Sequence, residues 1–340
     1  MTSRPVCVRG KSAPTAGHRA DGDYGVSKKV VFQFPGQGSQ AVGMGSVMAA
    51  AHGEARHVFD EVNEALGEDL FAIMRDGPDD AIRLTRNAQP ALFATSMAAL
   101  AVLTAKTGRP VATLADFTAG HSLGEYAALA AAGSISIADG ARLLRLRGDA
   151  MQNAVAVGEG AMAAILGADE ALITEIVTEA GDVGVVQLAN DNAPGQIVIS
   201  GSAVAVDRAM ESARGKGVRR VIKLPVSAPF HCDLMAPAAK VMAAALSDVS
   251  FADAAQPVIC NVTAAGEQKA DALKANLITQ ITGRVRWRES LMALDAAGVS
   301  VFVEIGTGKV LSGLVKRTLS DKTIVNLDSP DDLDAVLALF

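Results

Sequence analysis

Leu114 to Ala119 runs into Gly120-His121-Ser122-Leu123-Gly124 and then into the helix-forming run Glu125-Tyr126-Ala127-Ala128-Leu129. A G-x-S-x-G between a strand and a helix is a turn so tight that only glycine fits on either side. It ties the chain to an architecture in which strand ends feed helix starts, and it pushes the serine hydroxyl out of the sheet edge. The hydroxyl then sits at a helix N-terminus, where the dipole favours developing negative charge. The free amide of Leu123 can point at an oxyanion. The plain alternative, a serine N-cap with glycines kept for packing, explains the residues but not their place between strand and helix.

The surrounding pattern fits the same architecture. Lys29 to Phe34 is a β-prone run ended by Pro35-Gly36. Helical periods follow at Glu54–Leu66, Ala91–Lys106, Leu123–Ala132 and Ile137–Met151, a rhythm that predicts a mainly parallel sheet with covering helices. Residues 160–225 read differently. Strand candidates Ala161–Leu166, Val185–Ala189, Gln196–Ser200 and Val218–Leu224 alternate with helix candidates Asp169–Ala180 and Ala203–Ala213, and a turn at Asn192-Ala193-Pro194-Gly195 joins the middle strands. The order β-α-β-β-α-β is a ferredoxin-like unit. The expected fold is therefore α/β: a large α/β-hydrolase-like catalytic domain, residues 29–157 and 226–340, with a small ferredoxin-like domain, residues 158–225, inserted. Val301 to Ile305 is a further strand, feeding Gly306-Thr307-Gly308 and a helix from about Val310.

Residues 1–28 lack apolar periodicity and are expected to be a disordered, dispensable tail. Pro5 to Val8 is too short for a signal-peptide core, and Asp21 and Asp23 weaken a transit-peptide reading. The net charge of −6 hides an asymmetry, because residues 1–30 carry +4 and the rest −10. A body this acidic is not built to wrap nucleic acid. Cys7, Cys232 and Cys260 form neither a disulfide framework nor a zinc pattern, which predicts no metal and a cytoplasmic location. Apolar stretches such as Pro90–Ala105 are expected to fall short of a membrane span.

A serine nucleophile needs a base. Of His18, His52, His57, His121 and His231, the first lies in the tail and the next two read as surface residues. His121 adjoins Ser122 on a sharp turn, where successive side chains point apart, so it is expected to orient and not to act as the base. His231 ends Pro225-Val226-Ser227-Ala228-Pro229-Phe230-His231, a proline-bracketed loop where the small domain would rejoin the large one. It is the expected base.

Six blocks together resemble the malonyl-CoA:acyl carrier protein transacylase family: Phe34-Pro35-Gly36-Gln37-Gly38-Ser39-Gln40, Gly120 to Tyr126, Leu146-Arg147-Gly148, Ala228-Pro229-Phe230-His231, Asn261-Val262-Thr263, and Glu304-Ile305-Gly306-Thr307-Gly308-Lys309-Val310-Leu311. They span residues 30–320 in the family's order. The resemblance implies a Ser122–His231 dyad with His231 oriented by the backbone carbonyl of Gln280, an oxyanion hole from the amides of Gln37 and Leu123, and Arg147 holding the malonyl carboxylate. It implies Phe230 as a specificity residue that crowds a methyl branch, and Arg219 and Arg220 near the coenzyme A phosphates. Lys309, Lys316 and Arg317 could receive an acidic carrier. The implied substrates are malonyl-CoA and phosphopantetheinylated acyl carrier protein, with no cofactor, no nucleic acid, no membrane and a monomeric enzyme. Asn261-Val262-Thr263 is read as a structural turn near the site.

Arg147 also carries an argument of its own. Projected at 100° per residue, Leu143, Leu144, Leu146, Ala150 and Met151 form one apolar face with Arg147 in its middle, and Arg142, Arg145 and Asp149 lie opposite. A guanidinium there is costly unless paired. Either a core salt bridge satisfies it or a substrate carboxylate does, as a bidentate partner. The rival functions are a serine esterase or thioesterase, which calls for an Asp or Glu before the histidine and an HGGG-type loop, and a polyketide-pathway acyltransferase. A non-catalytic relative would have no need of Ser122, His231 and Arg147 together. The chain holds no neighbouring domain after its last core element, so a free-standing enzyme is expected.

Overall fold

The computed structural model of the chain describes residues 1–2, 28–226 and 228–340. The expected tail, with Cys7 and His18, falls almost wholly outside the described residues, as does Ser227 in the His231 loop. Ten strands are present among the described residues: β1 (Lys29–Phe34), β2 (Phe117–Gly120), β3 (Gly160–Leu166), β4 (Val186–Ala193), β5 (Gln196–Ser202), β6 (Arg220–Lys223), β7 (Val258–Cys260), β8 (Ala265–Glu267), β9 (Val299–Ile305) and β10 (Thr323–Leu327). They form a mixed α/β structure with a parallel-rich sheet and a separate antiparallel one.

The larger sheet has the order β10-β9-β1-β2-β7-β8. All its pairs are parallel except β7 with β8. β1 lies inside it and is buried from Val30 onward, as expected for a near-continuous apolar run covered by helices on both faces. The helix Thr85–Thr107 is longer than the expected Ala91–Lys106. Its 23 residues are long and apolar enough to cross a membrane, contrary to expectation, but the helix is packed inside the protein. Pro90 sits within it and cannot donate to the carbonyl four residues back. That freed carbonyl, on Arg86, accepts instead from Arg145 Nη1 at 2.5 Å, so a neighbouring helix repairs the break.

The smaller sheet has the order β4-β5-β3-β6, antiparallel throughout. With the helices Glu170–Ala180 and Ala203–Gly215 it follows the expected β-α-β-β-α-β sequence. It has its own apolar cluster around Ile165, Ile173, Ile199 and Val206. One difference matters for the site. β4 does not end at Ala189 but continues to Ala193, with register shifts at Leu188/Asn190 and Asp191/Ala193. Asn190 forms a bridge to Val285, and buried Asp191 pairs with Arg284 at 2.9 Å and Arg288 at 2.7 Å. These contacts hold Asn190-Asp191-Asn192 extended, leaving only Pro194-Gly195 as the turn.

Candidate active site

The elbow is built as its glycines require. A Cβ on Gly120 would lie 1.9 Å from the Gly124 carbonyl oxygen, and one on Gly124 would lie 2.3 Å from that of Phe34. Ser122 has φ 54°, in the left-handed region that non-glycine residues enter at a cost. Asn261 holds it there: Ser122 N donates to Asn261 Oδ1 at 2.7 Å, and Asn261 Nδ2 donates to the Gly120 carbonyl at 2.7 Å. The turn read in Asn261-Val262-Thr263 is thus a staple for the Ser122 turn.

His231, also left-handed at φ 60°, is buried with Nε2 2.8 Å from Ser122 Oγ. Its Nδ1 lies 2.9 Å from the Gln280 carbonyl and 3.2 Å from the Gly283 carbonyl. Two acceptors fix the proton on Nδ1 and leave the Nε2 lone pair facing the hydroxyl. No carboxylate contacts the ring among the described residues. Burial, with the nearby Arg147 charge second, pushes its pKa from an ordinary 6.5 down to about 3, so the imidazole stays neutral.

That shift links folding to pH. Between about 6.5 and about 3 the unfolded chain binds a proton that the folded chain refuses, so stability falls as pH drops through this window. Buried Glu125, pushed up from 4.5 to about 7, acts in the opposite sense, stabilising at low pH and losing that contribution as pH rises. A His231→Asn variant, which keeps a residue tolerant of positive φ, should therefore lose less stability than wild type between pH 7 and pH 4. Parallel urea titrations at the two pH values check this, and equal losses would refute it.

Arg147 is 1% exposed. Its Nη1 donates to Gln89 Oε1 at 2.7 Å, and its Nη2 to Gln280 Oε1 at 2.9 Å and Ser122 Oγ at 3.1 Å. Its Nε has no partner, and among the described residues no carboxylate forms a salt bridge with it. The core salt bridge open at the sequence level is not what the chain builds. Leu146, placed on the apolar face by projection, is instead exposed. The buried stripe is Leu143, Leu144, Arg147, Gly148 and Met151, the i, i+4, i+8 spacing of a helix face, with Leu146 on its shoulder.

A cleft of ≈ 430 Å³ opens over these groups, lined among others by Gln37, Leu123, Met162, Asn190, Leu224 and Phe230. Gln37 and Leu123 both line it, and among the described residues neither backbone amide donates a hydrogen bond. Phe230 is buried beside His231. Arg219 and Arg220 are exposed at the β6 edge and Lys309, Lys316 and Arg317 are exposed elsewhere, all outside the cleft lining. Sequence reasoning missed Gln89, the side chain of Gln280, Glu125, and Asn192, which lies 2.8 Å from His121 Nε2. The first three are buried polar groups, and Gln280 follows Leu273 and Leu277 on the buried face of its helix, the kind of signal that marked Arg147. The arrangement can activate a hydroxyl, hold an oxyanion, and receive an acyl group that ends in an anion.

The acyl transferase domain family matches residues 31–332. The chain is 47% identical to the malonyl CoA-acyl carrier protein transacylase of Bacillus subtilis, over 91% of the chain and 96% of that protein. It is 43% identical to the enzyme of that name from Escherichia coli, over 91% and 98%. The solved acyl-carrier-protein S-malonyltransferase of Bartonella henselae superposes with TM-score 0.90 at 49% identity, covering 92% of this chain and 99% of that one. A malonyl-transacylase solved in complex with its type II PKS acyl carrier protein gives TM-score 0.88 at 38% identity, covering 92% and 99%.

Proposed function

The chain belongs to the acyl transferase domain family and, within it, to the malonyl-CoA:acyl carrier protein transacylases, and from that premise we propose that it carries malonyl from malonyl-CoA to the phosphopantetheine thiol of acyl carrier protein through a malonyl ester on Ser122. The observation that carries this reading is Arg147, a buried guanidinium with no carboxylate partner among the described residues, whose Nη2 reaches Ser122 Oγ at 3.1 Å.

The residues act as follows. His231 Nε2 takes the Ser122 proton as Oγ attacks the thioester carbonyl. The amides of Gln37 and Leu123 hold the oxyanion, one such donor contributing about 2.7–4 kcal/mol. The carbon–sulfur bond breaks, and His231 returns the proton to the departing coenzyme A thiolate. In the second half, His231 takes the proton of the carrier thiol, the thiolate attacks the ester, and Ser122 Oγ leaves with that proton. Every proton and electron pair is carried by these groups, so we propose no metal and no redox cofactor. The Gln280 and Gly283 carbonyls hold His231 in place of a triad carboxylate, which argues against an esterase. Phe230 limits branching at the malonyl α-carbon. Arg219 and Arg220, exposed at the start of the strand that leads to Leu224 in the cleft, are the proposed coenzyme A phosphate contacts.

The strand order of the smaller sheet supports describing residues 158–225 as a ferredoxin-like domain, and the elbow supports a hydrolase-like body of residues 29–157 and 226–340. We place the enzyme in the cytoplasm as a monomer serving fatty-acid synthesis. The relative bound to a type II PKS carrier makes polyketide synthesis the second reading, separated by which purified carrier discharges the ester.

Intact-protein mass spectra after brief incubation with malonyl-CoA, acetyl-CoA or methylmalonyl-CoA test the proposal. One malonyl adduct per chain should form, vanish in Ser122→Ala and be discharged by carrier protein, with little labelling by the other two donors. An Arg219→Ala/Arg220→Ala variant should need more malonyl-CoA for half-labelling. Equal labelling by acetyl-CoA would overturn the carboxylate-recognition reading.

A further inference from the structure

Glu125 is a carboxylate that the reaction does not use. It lies in the helix Gly124–Ala131, whose other residues are apolar or glycine apart from Tyr126, and it is 1% exposed. Its Oε2 accepts from Gln280 Nε2 at 2.8 Å and from the Asn261 amide at 3.0 Å, while Oε1 accepts no hydrogen bond from nitrogen or oxygen among the described residues. Gln280 Nε2 also donates to the Ser122 carbonyl at 2.9 Å, and Gln280 Oε1 accepts from Arg147 Nη2 at 2.9 Å.

These bonds decide which way the Gln280 amide faces. With Nε2 toward two oxygens and Oε1 toward a guanidinium, every contact pairs a donor with an acceptor. Turned over, the amide would set oxygen against oxygen twice and N–H against N–H once. Burial makes each such mismatch expensive. Of the two oxygens that hold Nε2, the Ser122 carbonyl belongs to the strained turn itself, so Glu125 supplies the anchor from outside the site. Asn261 depends on Glu125 less, because its side chain also holds Gly120 and Ser122 and its carbonyl accepts from the Arg286 amide at 3.0 Å.

We propose that Glu125 is a positioning residue for donor selection: through the side-chain amide of Gln280 it aims Arg147 at the acyl carboxylate, leaving the Ser122–His231 pair to work independently. The proposal rests on the malonyl-transfer reading above. The upward push on Glu125 from burial fits a group kept for its oxygen acceptor and not for a surface ion pair.

The test compares Glu125→Leu, Glu125→Gln and Gln280→Leu by single-turnover acylation of Ser122 with malonyl-CoA and acetyl-CoA. Leucine at 125 removes the acceptor and should raise the malonyl-CoA KM about tenfold, with kcat and the acetyl rate changed less than about threefold. Glutamine at 125 can place its carbonyl oxygen where Oε2 lies and should return the malonyl KM to within about threefold of wild type. Gln280→Leu removes the amide itself and should raise the malonyl-CoA KM at least as much as Glu125→Leu, whatever its effect on kcat, which keeps the test decisive even where Glu125→Leu does not fold. Equal loss with both donors, an unchanged malonyl KM in Gln280→Leu, or no rescue by glutamine overturns the proposal. A wild-type enzyme that takes malonyl in the same assay upholds the functional reading whatever the variants do, and one that does not overturns both.

Discussion

His231→Asn slows acylation of Ser122 by roughly 10³–10⁴-fold, since a positioned general base contributes up to about that much. Asparagine is the informative substitution because position 231 sits at φ 60°, which asparagine tolerates better than alanine. It removes the Nε2 lone pair, 2.8 Å from Ser122 Oγ, while leaving the strained loop able to fold. The proposed oxyanion amides and the Arg147 fork remain, so some acylation should persist above the uncatalysed rate. The fall should appear with malonyl-CoA and with the poorer acetyl donor alike, because the base acts on the serine and not on the acyl group. Rapid-quench measurement of coenzyme A release in a single turnover reads it directly. A loss below tenfold would mean that another group takes the serine proton.

Arg147→Ala should have the second-largest effect, of a different shape. Two charge-assisted hydrogen bonds to the malonyl carboxylate, each contributing about 1.5–3 kcal/mol, correspond to a loss of roughly 10²–10⁴ in kcat/KM for malonyl-CoA. Acetyl-CoA makes neither bond and should lose little. Arg147→Met, which retains the packing of the aliphatic stem, should behave the same way, separating charge from volume. The malonyl ester that does form is no longer pinned, so hydrolysis should rise relative to transfer to the carrier. Measured as free malonate against malonyl-carrier, an unchanged ratio would show that Arg147 selects the acyl group without shielding its ester from water.

Much of this site was legible in the sequence because its signals are local. Gly120 and Gly124 bracket Ser122 within five residues, and the stripe of Leu143, Leu144 and Met151 marks Arg147 as buried within two helical turns. The β-α-β-β-α-β order of elements around the smaller sheet follows from the alternation of short apolar runs and helical periods, each read inside one window. What escaped was set by contacts between distant segments. The extension of β4 through Asn192 depends on Asp191 meeting Arg284 and Arg288, almost a hundred residues away. Helix Thr85–Thr107 begins ahead of Pro90 because Arg145, from another helix, takes the carbonyl that proline leaves free. Gln89 and Glu125 each sit at the polar edge of an apolar helical run, and their burial and partners could be named only once the helices were packed.

The ring of His231 rests on main-chain oxygens at positions 280 and 283. A peptide carbonyl survives almost any change of side chain, so this half of the dyad is shielded from point mutation in a way a triad carboxylate is not. A saturation library at position 280 should accordingly change acyl selectivity more than it slows acylation. Substitutions there become a route to new acyl donors, with the proton-transfer machinery held constant beneath them.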